Sequence, residues 1–171
     1  MSDPDPASFR QAAGQFPGGI VVVTTSAGHA MTVSAFASLS LRPPLVTAAL
    51  DRRSASLARI LVTGRFGVNV LGSADDEIAL RFARGVDRFA GLDWTMAQGL
   101  PRLDRAVGWA ACSLDRAVEG GDHLLLIGLV VDAESSPAPP LVYGQRTFGT
   151  HSRLVHRPRR AIADTIAACA C

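Results

Sequence analysis

Gly19-Ile-Val-Val-Val-Thr-Thr-Ser-Ala-Gly-His-Ala-Met-Thr-Val-Ser-Ala-Phe-Ala37 reads as two strands and the turn between them. Ile20 to Thr25 is a β-branched run, the kind of side chain that packs well on a pleated, buried surface. Ser26-Ala27-Gly28 supplies a tight turn, and a second strand runs from about His29 to Ala37. On the N-terminal side, Phe9, Ala12, Ala13 and Phe16 recur at helical spacing, which predicts a short helix packed across the sheet, ended by Gly18-Gly19. On the C-terminal side, Arg42-Pro43-Pro44 interrupts pairing, because proline has no N–H to give a ladder. Leu45 to Leu50 resumes as a strand and runs into Asp51-Arg52-Arg53-Ser54, where Ser54 suits the N-cap of a helix ending near Thr63-Gly64.

Further along, Phe66 to Leu71 is another strand, and Ser73 is expected to cap a helix reaching Arg84. Asp75, Asp76 and Glu77 then lie in its first turn, favourably placed against the helix dipole. Gly85 to Leu103 is loop-rich, with two short strands, one around Trp94. Long strands near Val107–Val118 and His123–Glu134 flank Glu119-Gly120-Gly121-Asp122. After a proline-rich loop, Leu141–Tyr143 and Arg146–Phe148 are short closing strands, and Ala161–Ala170 reads as a terminal helix. That is about seven strands with few helical crossovers and no G-x-G-x-x-G after a strand, which argues against a dinucleotide-binding parallel sheet. A closed or nearly closed antiparallel barrel fits better, since closure removes exposed edges. We read one domain over residues 1–150 and a basic tail over 151–171.

At 171 residues and 48% hydrophobic content the chain can bury a substantial core without disulfides. Its longest apolar stretch, Leu124 to Val131, falls short of the ~20 residues needed to cross a bilayer, so no membrane partner is expected. The start, Met1-Ser-Asp-Pro-Asp-Pro6, lacks the basic and apolar regions of a signal peptide. Cys112, Cys169 and Cys171 have no framework spacing, and the expected compartment is the reducing cytoplasm. Through Gln145 there are 12 Arg against 14 acidic residues (−2), and from Arg146 onward 5 Arg against one Asp (+4), together the net +2. The basic tail can bind an acidic partner or simply be solvated, and nucleic acid is not the expected partner. All 17 basic residues are arginine. Without lysine there is no Schiff base and no P-loop lysine, so a phosphate must be held by Arg, hydroxyls or backbone N–H groups.

Three segments could carry chemistry. At period two, Thr32, Ser34, Phe36, Ser38 and Ser40 share one face of the second strand, which fits either a solvated face or a ligand wall of small hydroxylated residues. Asp51-Arg52-Arg53-Ser54 places two arginines where a strand meets a helix N-terminus, a natural phosphate position that is also an ordinary capped helix. Gly120-Gly121-Asp122-His123 is hairpin chemistry with a histidine beside it. His29, His151 and His156 have no partners at metal-ligand spacing, and no metal is assigned. There is no G-x-S-x-G elbow and no Cys/His context. The chemistry therefore points to a bound organic cofactor.

Taken in order, these segments resemble the flavin reductase-like family, the FMN-binding split-barrel proteins that serve two-component flavin monooxygenases. The resemblance is carried by Phe9-Arg10 to Phe16, Gly19 to Thr25, Met31 to Leu45 and Leu50-Asp-Arg-Arg-Ser54. It continues through Gly64-Arg-Phe-Gly-Val-Asn-Val-Leu71, Arg81-Phe-Ala83, Asp87-Arg-Phe-Ala-Gly91, Gly121-Asp-His123 and Pro140-Leu-Val-Tyr143. It implies a mainly β fold with short helices, an antiparallel Greek-key split β-barrel. It also implies an oxidoreductase that reduces FMN or FAD with NADH or NADPH, supplies a separate monooxygenase and forms a homodimer.

The same resemblance places Thr32, Val33, Ser34 and Ala35 along the flavin ring and ribityl chain, and Leu50, Asp51, Ser54 and Ser56 at its phosphate. Phe82, Arg88 and Phe89 match a second set of flavin contacts, His123 the nicotinamide side, and Phe148 an aromatic that closes the site. Gly18 stands where the family has threonine, Ser34 where asparagine is commoner, and Ser56 where threonine is commoner. Two other readings stay open: a flavoenzyme with tightly bound FMN acting on a small organic substrate, and a non-catalytic flavin-binding module.

Overall fold

The computed structural model describes residues 5–85 and 88–150. Helix α1 (Pro6–Ala13) precedes the two-residue strand β1 (Gly18–Gly19), then β2 (Val21–Thr24), β3 (Ala30–Val33), β4 (Phe36–Leu41) and β5 (Pro44–Asp51). Helix α2 (Ala55–Thr63), β6 (Arg65–Val70) and α3 (Asp76–Arg84) follow. The hairpin β7 (Trp94–Ala97) and β8 (Leu100–Leu103), the long pair β9 (Gly108–Gly120) and β10 (His123–Ser135), and the short pair β11 (Val142–Gly144) and β12 (Thr147–Gly149) complete the described chain.

Seven strands form one antiparallel sheet in the order β3-β2-β6-β9-β10-β5-β4. Its two edges, β3 and β4, are consecutive pieces of one extended stretch separated only by Ser34 and Ala35. The ladder is therefore open, yet the chain itself joins its edges, and the Ala49 N–H donates to the Ala35 carbonyl at 2.9 Å beside the gap. This is a barrel split at residues 34–35. The sequence reading of one strand over 29–37 missed that break, because the apolar/polar alternation runs on through it while the pairing partner changes from β2 to β5.

Inside the barrel, Val21, Val23, Val33, Leu50, Phe66, Val68, Cys112 and Leu126 pack with Leu57 and Ile60 of α2. On the other face of β2, Ile20 and Val22 pack with Ile78, Ala79 and Phe82 of α3 and with Leu71, Leu103 and Leu141. Burial on both faces explains why Ile20 to Thr25 is an unbroken β-branched run, apolar through Val23, rather than an alternating one. Gly128 on β10 makes room for Phe66: a Cβ there would stand 2.5 Å from the Phe66 ring. Fully buried Asn69 ties β8 to the barrel, its Nδ2 donating to the Val22 and Pro101 carbonyls and its Oδ1 accepting from the Leu103 N–H at 2.8 Å. Pairing these groups offsets the cost of burying them.

Four expectations change. Helix α1 forms but buries no residue, and Phe9 and Phe16 are 64% and 85% exposed. Periodicity marks a face without supplying a surface to cover it. Arg42-Pro43 is the turn of the β4–β5 hairpin rather than a break, and Pro44 opens β5 opposite Leu41. A proline at the first residue of a strand loses no ladder bond that matters. Helix α3 starts at Asp76 with Asp75 as N-cap, not at Ser73, whose N–H is instead bound to the Pro139 carbonyl at 2.9 Å. The described strands number twelve rather than about seven, because the 29–37 stretch makes two strands, Gly18–Gly19 adds another, and the expected short strands form the separate sheets β7-β8 and β1-β11-β12. Asp87, the tail over 151–171 and its expected helix lie outside the described residues.

Candidate functional site

The split end of the barrel gathers several of the candidate residues. Ser54 caps α2, its Oγ accepting from the Leu57 N–H at 3.0 Å and donating to Met31 Sδ of β3 at 3.1 Å. The helix tip is thereby held against the strand that ends at the split. Its next N–H groups, those of Ala55 and Ser56, find no backbone or side-chain acceptor among the described residues. Unpaired N–H groups at the positive end of a helix dipole are where an anion is received. Ser34 and Ala35, three and four residues on from Met31, are exposed, whereas Val33 and Leu50 turn their side chains into the core and have only backbone to offer a ligand. Thr32 commits its hydroxyl to the Ala79 carbonyl of α3, and Ser56 is buried. A Cβ on Gly18 would meet the Ser34 carbonyl at 3.1 Å, so glycine there lets β1 lie against the kink.

Charge at this end is already balanced. Asp51 accepts from the Arg53 N–H at 2.8 Å and grips the Arg53 guanidinium through both carboxylate oxygens, at 3.2 and 2.9 Å. Those Arg53 hydrogen bonds hold Asp51 well below the usual carboxylate range, at about 2. Arg52 pairs with Glu119 at 2.6 Å, and its N–H donates to the Asp122 carbonyl at 3.0 Å. Both arginines of the phosphate candidate are thus engaged at the surface, where such pairs are weak and exchangeable. The free donors are the backbone N–H groups. His123 stands directly across from Asp51 on β10, its Nδ1 2.7 Å from Asp122 Oδ1, and its side chain is 44% exposed. The hydrogen bond from His123 draws Asp122 downward in turn.

A second group lies beyond α3. Buried Phe82 meets Phe89 edge-on, with centroids 5.2 Å apart, and Phe89 meets Trp94 at 5.3 Å. The Arg88 guanidinium folds back over Gly85, whose missing Cβ would stand 2.8 Å from it. Arg88 Nε is buried and has no acceptor among the described residues. The Thr32–Ala79 bond joins this group to β3. Phe148 packs against the same apolar cluster as Phe82 and Phe89. It packs on Tyr143, centroids 5.0 Å apart, in the three-stranded sheet β1-β11-β12, beside an open groove of about 480 Å³. Sequence reasoning missed that groove, together with Trp94 and Met31 as neighbours of the candidate residues. Gln15 and Gln145, which line it, carry no motif and meet only through the fold.

A barrel split at its edge, with a free helix tip and small side chains at the gap, defines a class that the comparisons name. Residues 13–152 match the family model described as the flavin reductase like domain, and the chain belongs to that family. It is 37% identical over 152 residues to a Rhizobium meliloti (strain 1021) protein named "Probable flavin reductase", covering 85% of this chain and 49% of that protein. It therefore spans about half the length of that relative. Over 139 residues it is 36% identical to the flavin-dependent monooxygenase reductase subunit HsaB of Mycobacterium tuberculosis (strain ATCC 25618 / H37Rv), covering 78% of this chain and 74% of HsaB. Among solved structures, the Streptomyces globisporus C-1027 NADH:FAD oxidoreductase SgcE6 superposes with a TM-score of 0.81 at 32% identity, covering 89% of this chain and 97% of that one. No helix among the described residues is long and apolar enough to cross a membrane.

Proposed function

We propose that this chain is an NAD(P)H-dependent flavin reductase that takes FMN or FAD at the split end of the barrel and supplies reduced flavin to a separate monooxygenase. The observation that carries this reading is the pair of N–H groups at Ala55 and Ser56, unpartnered among the described residues, on a helix tip bonded through Ser54 to Met31, three residues before the exposed, small-sided gap at Ser34 and Ala35. The donor set fits the group: backbone N–H groups and the orphaned Arg88 Nε suit a phosphate tether, and small residues admit a flat ring. The relatives support it, since SgcE6 is known in complex with NAD and FAD fragments and HsaB is a reductase subunit.

In this proposal the backbone of Thr32, Val33, Ser34 and Ala35 lines the ring, with Leu50 behind it. Asp51, Ser54 and Ser56 shape the phosphate pocket at the helix tip. Phe82, Arg88 and Phe89 form the second flavin contact, and Phe148 closes the site. His123, oriented by Asp122, positions the nicotinamide or holds a proton at its Nε2. A bound flavin would supply the redox chemistry, with reduced nicotinamide as the source of the hydride equivalent. What the protein contributes is alignment and exclusion of water. The proposal includes a homodimer, supported by Leu39 and Leu41 standing 52% and 80% exposed on the outer strand β4. It also places the chain in the cytoplasm, in keeping with the buried free thiol of Cys112.

The test follows absorbance at the nicotinamide band with NADH or NADPH and with FMN or FAD in turn. Oxidation that saturates with added flavin is expected. Failure of every nucleotide and flavin combination to support turnover refutes the reading.

A further inference from the structure

Strand β3 is four residues long and forms one edge of the seven-stranded sheet, with a ladder to β2 on one side only. Its two middle residues point to opposite faces, as successive residues of a strand do. Met31 stands across from Val23 and packs against the barrel core that includes Leu57 and Ile60 of α2. Its Sδ accepts from Ser54 Oγ, at the tip of that helix, at 3.1 Å. Thr32 stands across from Val22, on the face that meets α3, and its Oγ1 donates to the Ala79 carbonyl. One short edge strand is thus bonded to two helices, one on each face, just before the split.

These bonds do what apolar packing cannot. Burial of Ile78, Ala79 and Phe82 is non-directional and lets a helix slide or turn on the sheet, whereas a hydrogen bond fixes one atom against another. Ala79 lies one turn before Phe82, so the Thr32 bond sets where Phe82 meets Phe89, and Phe89 in turn meets Trp94. At the other helix, Ser54 Oγ accepts from the Leu57 N–H and gives its proton to Met31, which holds the N–H groups of Ala55 and Ser56 at a fixed offset from β3. A hydroxyl has one proton to donate. Thr32 and Ser54 both spend theirs within the protein, so neither side chain is left as a donor for a phosphate or a ring carbonyl.

We propose that Met31 and Thr32 are positioning residues that set the spacing between two parts of the flavin site: the N–H groups at the tip of α2 and the Phe82–Phe89 pair at the end of α3. Their side chains act through the two helices and give the flavin no hydrogen bond of their own. The proposal rests on the reading of the chain as a flavin reductase and names what holds the parts of its site in register.

Fluorescence titration of the full chain with FMN and with riboflavin, which lacks the phosphate, separates the two ties. Wild type should bind FMN roughly ten-fold or more tightly than riboflavin, the range of charge-assisted hydrogen bonds. Met31→Leu keeps the apolar bulk and removes the sulfur acceptor. It should cut that preference about three- to ten-fold and leave the riboflavin Kd near wild type. Thr32→Val removes the hydroxyl at nearly constant shape. It should weaken both flavins about three- to ten-fold with the preference kept. In flavin-free protein it should also shift the ¹⁵N indole signal of Trp94, with Trp109, packed with Leu100 and Ala111, as the unmoved reference. Thr32→Ser keeps the donor and should restore both readouts, whereas a role in strand packing alone is served better by valine than by serine. An FMN preference unchanged in Met31→Leu, affinities unchanged in Thr32→Val, or Thr32→Ser behaving as Thr32→Val would each overturn the proposal. The two ties are tested separately, so loss of fold in one variant leaves the other to decide. Wild type that binds neither flavin ends the flavin reading and this proposal together, a result distinct from the others.

Discussion

Strand β2 and the split at Ser34–Ala35 lie a dozen residues apart and follow opposite rules. In β2 every residue is buried, with Val21 and Val23 facing the barrel interior and Val22 facing α3. At the split, both residues are exposed and small, and the ladder passes from one partner strand to another. The first region is where burial supplies stability. The second surrenders edge pairing and side-chain contact, and it follows directly on Met31, to which the tip of α2 is bonded through Ser54. Stability and binding should therefore respond to separate substitutions.

The contrast is strained most by emptying the interior. Phe66 is fully buried, and Phe66→Ala should cost about 3–5 kcal/mol of folding stability in denaturant titration. The next effect is kinetic. His123→Ala should lower turnover of NAD(P)H roughly ten-fold or more while the flavin Kd and thermal midpoint stay near wild type, because the ring is partly exposed and, among the described residues, bonded only to Asp122. Equal turnover would remove His123 from the site. Filling the gap with Ser34→Leu should leave stability within ~0.5 kcal/mol, as for other surface substitutions, yet weaken flavin binding about ten-fold or more in fluorescence titration. Ser54→Ala sits between the two regions, removing the cap of α2. It should cost about 1 kcal/mol and also loosen flavin, since the same serine holds the helix tip to Met31.

The smallest effect is a pH dependence. Asp51 is held at about 2 by Arg53, so its folded-state value lies below the unfolded one. Its contribution is complete above the ordinary carboxylate range near ~4 and is lost as pH falls through about 2. Carbon NMR of the Asp51 carboxylate should show that titration, and Asp51→Asn should make the turn indifferent to acid.

How much of this is legible in the sequence follows the same division. The run over residues 20–25, the Ser54 cap and the long hairpin around Gly121 are written in local propensity and turn chemistry, and they form as expected. The split is not, because Ser34 and Ala35 look like any two residues of an alternating strand. Only the arrival of β2 on one side and β5 on the other breaks the ladder there. Helix α1 shows the converse, a readable apolar face that the described chain does not cover. At the site, the helix tip at Ser54 and the position of His123 beside Asp51 could be anticipated in part. The engagement of Arg52 and Arg53 by Glu119 and Asp51 could not, since the Glu119 partner comes from 67 residues away. The Gln15–Gln145 pair joins the ends of the domain and has no local signal at all.

The central claim is that the tip of α2 receives the phosphate of a flavin lying in the gap at Ser34 and Ala35. Titrating FMN into ¹⁵N-labelled protein while following backbone amides tests it directly. Saturable shifts of Ala55, Ser56, Ser34 and Ala35, with Val23 in the interior unmoved, are the predicted result. FMN that binds, as judged by quenching of its fluorescence, while the Ala55 and Ser56 amides stay still would contradict the account.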